Sequence, residues 1–270
     1  MKLQFITVLT ILIASLTAIG GESVTINLWP DGNPNNNGNP NDQTAEMTVF
    51  TPEDGKDTGI AVAILPGGAY AGLAMGYEGL DIAEWFAKNG ITAGVVRYRL
   101  PNGNPAIPES DARQAIRILR KNGATRTGIM GSSAGGHLAT TVSTHEADSL
   151  SHPDFTILFY PVVTSDSRYT HHGSMQNLLG EKANDWKTLR EYSNELRVTD
   201  NTPPALIFYS DNDNVVAPEN GALYYQALKG HGIKAGIHIF PIGGHGWGFK
   251  DSFSYKPMVQ DIIINWLQDK

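Results

Sequence analysis

Gly131-Ser132-Ser133-Ala134-Gly135 sets a serine two positions from a glycine on each side. The pattern G-x-S-x-G takes its meaning from its flanks: a short apolar run (TGIM, 127–130) precedes it and a helix-compatible run (GHLATTV, 136–142) follows. A strand-to-helix turn this tight lifts the central side chain off the strand end in a strained backbone conformation. Side chains two positions either side would collide, so glycine is required there. The register points to Ser133, because centring the motif on Ser132 would need glycine at Met130 and Ala134. The competing reading is a Gly/Ser-rich turn without chemistry. The same turn puts the Ala134 amide at a helix N-terminus, where it can donate to a developing oxyanion.

A serine hydroxyl is a poor nucleophile at neutral pH; it needs a base, and the base needs an orienting acid. Of the eight histidines, His245 sits in Gly243-Gly244-His245-Gly246-Trp247-Gly248, a glycine-rich loop directly after the strand-like run AGIHIF (235–240). The others lack that combination: His137 belongs to the helix after the serine turn, His238 to a strand, His231 to a helix end, and His171-His172 to a surface segment. The acid is expected on the loop after the preceding apolar run, ALIFY (205–209). Asp213 is preferred there because it lies just ahead of Val215-Val216, one residue removed, which would pin the loop, while Asp211 reads as a turn residue bonding its own backbone. The second oxyanion donor is expected after the run IAVAIL (60–65), in Pro66-Gly67-Gly68-Ala69-Tyr70, with Gly68 the first choice and Gly67 the second.

The elements that must position these residues are legible as an alternation. Apolar strand-like runs at 60–65, 91–98, 127–130, 155–160, 205–209 and 235–240 suit strands buried on both faces of a parallel sheet. Between them lie helix candidates at 79–88, 110–120 (with Ser110 as N-cap), 219–229 and 257–268. A short first strand is expected at 24–28. Strand and helix in turn give an α/β fold, a mostly parallel central sheet with helices on both faces. The Asn/Pro/Gly-rich stretch 31–43 reads as a surface loop; a calcium loop is the lesser reading, since its carboxylates are only Asp31 and Asp42 and lack EF-hand spacing.

Composition bounds the rest. A chain of 270 residues, 41% hydrophobic and 17% charged, has ample material for one core, and with no cysteine it excludes disulfide scaffolds, thiolate metal sites and a cysteine nucleophile. A formal charge of −7 without any dense Lys/Arg run argues against nucleic-acid partners. Lys2 followed by an apolar stretch and Ala18-Ile19-Gly20 reads as a signal peptide over 1–20, leaving one domain over 21–270, exported to the periplasm or beyond and free of the membrane once cleaved; an uncleaved anchor is the alternative.

Together, LPGGAY (65–70), GSSAGGHLA (131–139), LFYPVVT (158–164), HHGSMQNLLG (171–180), DNDNVVAPENG (211–221) and GGHGWG (243–248) resemble the serine carbohydrate esterases of the α/β-hydrolase superfamily, the acetylxylan-esterase-like and bacterial feruloyl-esterase-like group. The resemblance spans about residues 45–250. It implies an α/β-hydrolase fold, a Ser133–Asp213–His245 triad in the superfamily's chain order, and an acyl-enzyme route needing neither metal nor organic cofactor. It implies as substrate an acylated plant oligosaccharide or polysaccharide, xylan-type and acetylated first of all. Tyr70 and Trp247 are then candidates for stacking on a sugar, Tyr70 reading equally as a packing ring. One departure is Pro66, where lipase-type relatives carry histidine. In similar enzymes an insertion such as 165–200, helix-like at 186–192, covers the cleft. A serine peptidase of the same fold and a non-catalytic carbohydrate-binding relative are the rival readings.

Overall fold

The computed structural model describes residues 23–35 and 44–268. The expected signal peptide and most of the Asn/Pro/Gly loop therefore lie outside the described residues. Among those described, eight strands form one sheet: β1 (Ser23–Asn27), β2 (Glu46–Phe50), β3 (Ile60–Leu65), β4 (Thr92–Arg97), β5 (Arg126–Ser132), β6 (Thr156–Phe159), β7 (Ala205–Ser210) and β8 (Ala235–Phe240). Their order is β1-β2-β4-β3-β5-β6-β7-β8, antiparallel across β1–β2 and β2–β4 and parallel from β4 to β8. Every residue of β6 and β7 is buried, so the sheet is covered on both faces at its centre. That is why these runs read as continuously apolar rather than alternating.

The helices are α1 (Asp81–Lys88), α2 (Ala106–Lys121), α3 (Ser133–Thr144), α4 (His172–Leu179), α5 (Trp186–Glu191), α6 (Glu219–Gly230) and α7 (Lys256–Gln268). Two differences from the sequence expectations have clear causes. β2 went unread because only Met47 and Val49 point inward, between outward Glu46, Thr48 and Phe50. α2 begins four residues before the expected Ser110. Pro105 is its N-cap and Pro108 stands in its first turn, where a missing N–H would have had no intrahelical partner. Ser110 is not a cap; its hydroxyl donates to the Ile107 carbonyl at 2.8 Å.

Parallel strands send all their C-terminal ends to one rim. The loops after β3, β5, β7 and β8 carry the 66–70 glycines, Ser133, Asp213 and His245 respectively, so residues remote in sequence meet there. After β3 the chain steps outward to β4 and then crosses to β5 on the other side, and a ligand-binding crevice is expected at such a reversal. No helix of the described residues is long and apolar enough to cross a membrane.

Candidate active site

β5 runs directly into α3, and Ser133 sits at the junction with φ +52°, in the left-handed region that costs a side-chain-bearing residue. The flanking glycines are sterically required. A Cβ on Gly131 would stand 2.1 Å from the Gly135 carbonyl oxygen, and one on Gly135 would stand 2.1 Å from that of Leu65. Gly136, for which the motif gave no reason, is held to glycine by Pro161, whose Cβ would be 2.5 Å away. The Ser133 carbonyl accepts the Val162 N–H at 3.0 Å, tying the turn to the chain after β6.

His245 Nε2 lies 2.9 Å from Ser133 Oγ, and His245 Nδ1 lies 2.7 Å from Asp213 Oδ2. The Asp213 carboxylate is buried, and its other oxygen accepts the N–H groups of Val215 at 2.9 Å and Val216 at 3.0 Å. An acceptor-only carboxylate makes Nδ1 the protonated nitrogen, which leaves Nε2 to accept from the serine hydroxyl. The loop is pinned differently from the expectation: the valine amides grip the carboxylate, and of the two side chains only Val216 is buried while Val215 faces solvent. Asp211 is exposed, and its amide donates to the Phe240 carbonyl at 2.7 Å. Between the two aspartates, Asn212 Oδ1 accepts the Gly244 N–H at 2.9 Å and so latches the acid loop to the histidine loop.

Opposite them, the loop after β3 folds tightly against the serine turn. Gly68 has φ +136°, and a Cβ there would lie 2.2 Å from the Gly72 carbonyl oxygen. Ala69 and Tyr70 follow at φ +55° and +58°. Among the described residues no acceptor engages the amide of Gly68 or of Ala134. Gly67 is different and drops out as a donor, because its N–H is already given to Glu78 Oε2 at 2.8 Å. A Cβ on Gly67 would be 2.9 Å from that of Ser133, so this glycine makes room for the nucleophile instead.

Of the two candidate sugar platforms, Trp247 is corrected, and Tyr70 takes the packing role held open beside stacking. Tyr70 is 2% exposed, its ring edge-on to Tyr98 and His137 and its hydroxyl bonded to His137 Nδ1 at 3.0 Å. His137 Nε2 faces the Tyr192 carbonyl at 2.9 Å. A carbonyl only accepts, so Nε2 carries the proton and Nδ1 accepts from Tyr70. Burial holds the His137 pKa down to about 4, which keeps the ring neutral. Tyr70 thus props the loop against α3. Trp247 is 3% exposed, stacked on Phe253 at 4.2 Å, with its indole N–H given to Ser210 Oγ at 3.1 Å. It packs beneath the histidine loop and offers no face to a sugar.

Four residues at the site were not read from the sequence: Glu78, Tyr160, Asn212 and His171. Tyr160, at φ +36°, sets its ring edge-on to His245 at 4.7 Å. His171, expected on the surface, is half-buried as the N-cap of α4, where its Nδ1 accepts the Ser174 N–H at 3.2 Å. Burial, then the nearby His245, lowers its pKa. From the same segment, Asn177 donates to the Ala69 carbonyl at 2.8 Å, so the insertion over 165–200 does reach the loop after β3. Among the described residues no three His, Asp or Glu side chains are grouped to hold a metal ion.

Comparison with known proteins gives consistent neighbours. The prolyl oligopeptidase family matches over residues 109–270. An acetylxylan esterase of Xylanibacter ruminicola is 36% identical over 98% of this chain and 54% of its own length. Endo-1,4-beta-xylanase B of Butyrivibrio fibrisolvens is 35% identical over 68% of this chain and 32% of its own length. The chain thus spans about half of the first of these curated relatives and about a third of the second. Among solved structures, an acetyl ester-xyloside bifunctional hydrolase from Caldicellulosiruptor lactoaceticus superposes with a TM-score of 0.80 at 30% identity, covering 93% of this chain and 97% of that one. Esterase 2 of Thermogutta terrifontis gives 0.70 at 24% identity over 83% of this chain and 90% of that one, a likeness of fold alone. The fold is that of the α/β-hydrolases.

Proposed function

This chain belongs to the prolyl oligopeptidase family, and we propose that it is a serine esterase that removes acyl groups, acetyl foremost, from xylan-type polysaccharides and their oligosaccharides. The observation that carries the reading is the unbroken line from Asp213 through His245 to Ser133, with contacts of 2.7 and 2.9 Å. The Gly68 and Ala134 amides, which engage no acceptor among the described residues, are available beside it. The substrate class draws its support from the names of the acetylxylan esterase and the acetyl ester-xyloside hydrolase, the latter alike over nearly the whole of both chains.

In this mechanism Ser133 Oγ attacks the ester carbonyl carbon while His245 Nε2 takes its proton. Asp213 holds the imidazole in the required tautomer and stabilises the cation as it forms. The Ala134 and Gly68 amides receive the carbonyl oxygen as it becomes negative, each contributing about 3 kcal/mol at the transition state. His245 returns the proton to the departing sugar oxygen, leaving the acyl group on Ser133. Water then attacks the acyl carbon as the same nitrogen takes its proton; the bond from that carbon to Ser133 Oγ breaks, and His245 returns the proton to Ser133 Oγ as the acid departs. The basic, apolar start over 1–20 supports export as the setting for such a substrate.

The test is product analysis on acetylated and feruloylated xylo-oligosaccharides beside chromogenic dipeptides, with Ser133→Ala as control. Release of acetate, lost by about 10⁴-fold or more in the variant, is expected. Cleavage of the dipeptides in preference to the esters would establish the peptidase reading instead.

A further inference from the structure

Glu78 lies 3% exposed beneath the site, on a single π-type turn (Gly76–Leu80) closed by the Leu80 N–H on the Met75 carbonyl at 2.8 Å. Turns of this kind recur at functional sites. A buried carboxylate is costly unless its oxygens are satisfied, and here each oxygen has a donor from a different loop. Oε2 accepts the Gly67 N–H at 2.8 Å, on the loop beside Ser133. Oε1 accepts the Tyr160 hydroxyl at 2.8 Å, and the Tyr160 oxygen in turn accepts the Gly248 N–H at 2.8 Å, on the loop that carries His245. A second tie runs in parallel, from the Phe249 N–H to the Tyr77 carbonyl at 2.8 Å. Tyr160 reaches this position only with φ +36°, a conformation an aromatic residue adopts at a cost.

We propose that Glu78 is a positioning residue of the site: one carboxylate that fixes the oxyanion loop with one oxygen and the histidine loop, through Tyr160, with the other, while placing a negative charge near the imidazole of His245. The inference rests on the esterase reading above. Two donors converging on one acid demand two acceptors, which an ionised carboxylate supplies and an amide does not. The charge has a use as well. When His245 takes the serine proton, Asp213 touches one edge of the ring and Glu78 stands below it, across the edge-on ring of Tyr160. Burial raises the Glu78 carboxyl above its ordinary range, and the hydrogen bonds from Tyr160 and Gly67, then His245 and Lys250, act in the opposite sense and favour its charged form. The other titratable groups about this pair are His171 at the start of α4, which faces His245 and Asp213; Lys250 and Tyr77, which face Glu78 from the histidine loop and the π-type turn; and the buried Tyr98, which faces Glu78 from the chain after β4 with its hydroxyl given to the Pro66 carbonyl.

The experiment compares kcat, KM and the pH profile of kcat/KM for the wild-type protein, Glu78→Gln and Tyr160→Phe on p-nitrophenyl acetate, with circular dichroism to confirm folding. For Glu78→Gln the expected result is a fall in kcat of about 10- to 100-fold with KM little changed, as misplacement of catalytic groups produces. Its acidic limb should move to lower pH by about half a unit or more, because the imidazolium loses a neighbouring anion. Tyr160→Phe cuts the link to Gly248 but keeps the charge, so kcat should fall several-fold with the limb in place. An unchanged kcat in either variant, or a Glu78→Gln limb that stays put, overturns the proposal. If Glu78→Gln does not fold, the kcat of Tyr160→Phe decides. An active wild type with an inactive Ser133→Ala and an unaltered Glu78→Gln would remove the role of Glu78 alone; a wild type without esterase activity would remove the reading beneath it.

Discussion

Ser133 and His245 meet across a seam between two regions that are put together differently. On the serine side backbone presses on backbone: Gly131 on Gly135, Gly135 on Leu65, Gly68 on Gly72, with no space for a methyl group at any of these contacts. On the acid and histidine side the ends of the histidine loop are tight, a Cβ at Gly243 meeting Ser210 Oγ at 2.3 Å and one at Gly248 the Tyr77 carbonyl oxygen at 2.4 Å. Beside His245 itself there is room: a Cβ at Gly244 would meet nothing within 4 Å and one at Gly246 nothing nearer than 3.9 Å. What holds the loops there is a set of discrete hydrogen bonds: Asp213 to His245 and to two valine amides, Asn212 to Gly244, Tyr160 to Gly248. Steric exclusion therefore positions the nucleophile and directional bonding positions the base. In stability the first should fail abruptly when altered and the second by degrees, while in rate the second depends on which bond is cut.

The largest effect tests the strongest of those bonds. In Asp213→Asn the side-chain oxygen can still accept the Val215 and Val216 amides, but the amide nitrogen then donates to His245 Nδ1. The proton is forced onto Nε2, where it faces Ser133 with nothing to take up. A fall in kcat of about 10⁴-fold is expected with the melting temperature nearly unchanged. A loss of less than tenfold in steady-state assays would mean that something other than Asp213 sets the tautomer.

Gly135→Ala and Gly244→Ala sharpen the contrast directly. The added methyl at 135 would lie 2.1 Å from the Leu65 carbonyl oxygen and 2.5 Å from that of Pro66, both backbone atoms that cannot swing aside. A loss of about 3 kcal/mol or more in urea unfolding is expected. At 244 only the positive φ of +62° resists, for about 1–2 kcal/mol. Equal losses at the two positions would erase the distinction.

The serine side also contains a titratable prop, His137 under Tyr70. Its folded pKa of about 4 lies below the ordinary 6.5. The unfolded chain therefore takes up the proton first as pH falls. This contribution is complete above pH 6.5 and is lost progressively toward pH 4, about 3 kcal/mol in all. His137→Gln keeps an acceptor for Tyr70 and a donor for Tyr192 but cannot titrate, so its urea midpoint should decline less steeply over that range than the wild type's. Parallel declines would show that the acid sensitivity resides elsewhere.

The contrast also explains what could be read from the sequence. Steric exclusion leaves glycines in the chain at fixed spacing, so the serine turn and the strands beneath it were legible, as was the glycine-flanked His245. Hydrogen-bonded struts leave no such mark. Glu78 reads as an acid placed at the start of a helix, where a carboxylate is favoured in any case, Tyr160 as the last residue of an apolar strand, and Asn212 as one polar residue in a polar loop. Gly67 and Gly68 look alike in sequence; only the carboxylate folded against Gly67 separates them. Tyr70 and Trp247 are no more than candidates for sugar in the sequence because aromatic rings near a site serve equally for stacking and for packing, and burial alone decides between the two.

The smallest effect lies in the latch between the acid and histidine loops. Asn212→Ala removes the acceptor for the Gly244 N–H, a single bond near solvent. Such bonds contribute about 0.5–1.5 kcal/mol. Because Gly244 precedes His245, that loss should appear in kcat as a drop of about two- to tenfold, with the Asp213 contact still present to limit it. Asp211→Ala, one residue earlier on the same loop, should leave kcat and the melting temperature unchanged, since the exposed residue contributes its amide to the Phe240 carbonyl and the substitution preserves that bond. If Asp211→Ala proved the more damaging of the two, the loop would be organised around the wrong aspartate, and the hydrogen-bonded side of the site would need to be redrawn from Ser210 onward.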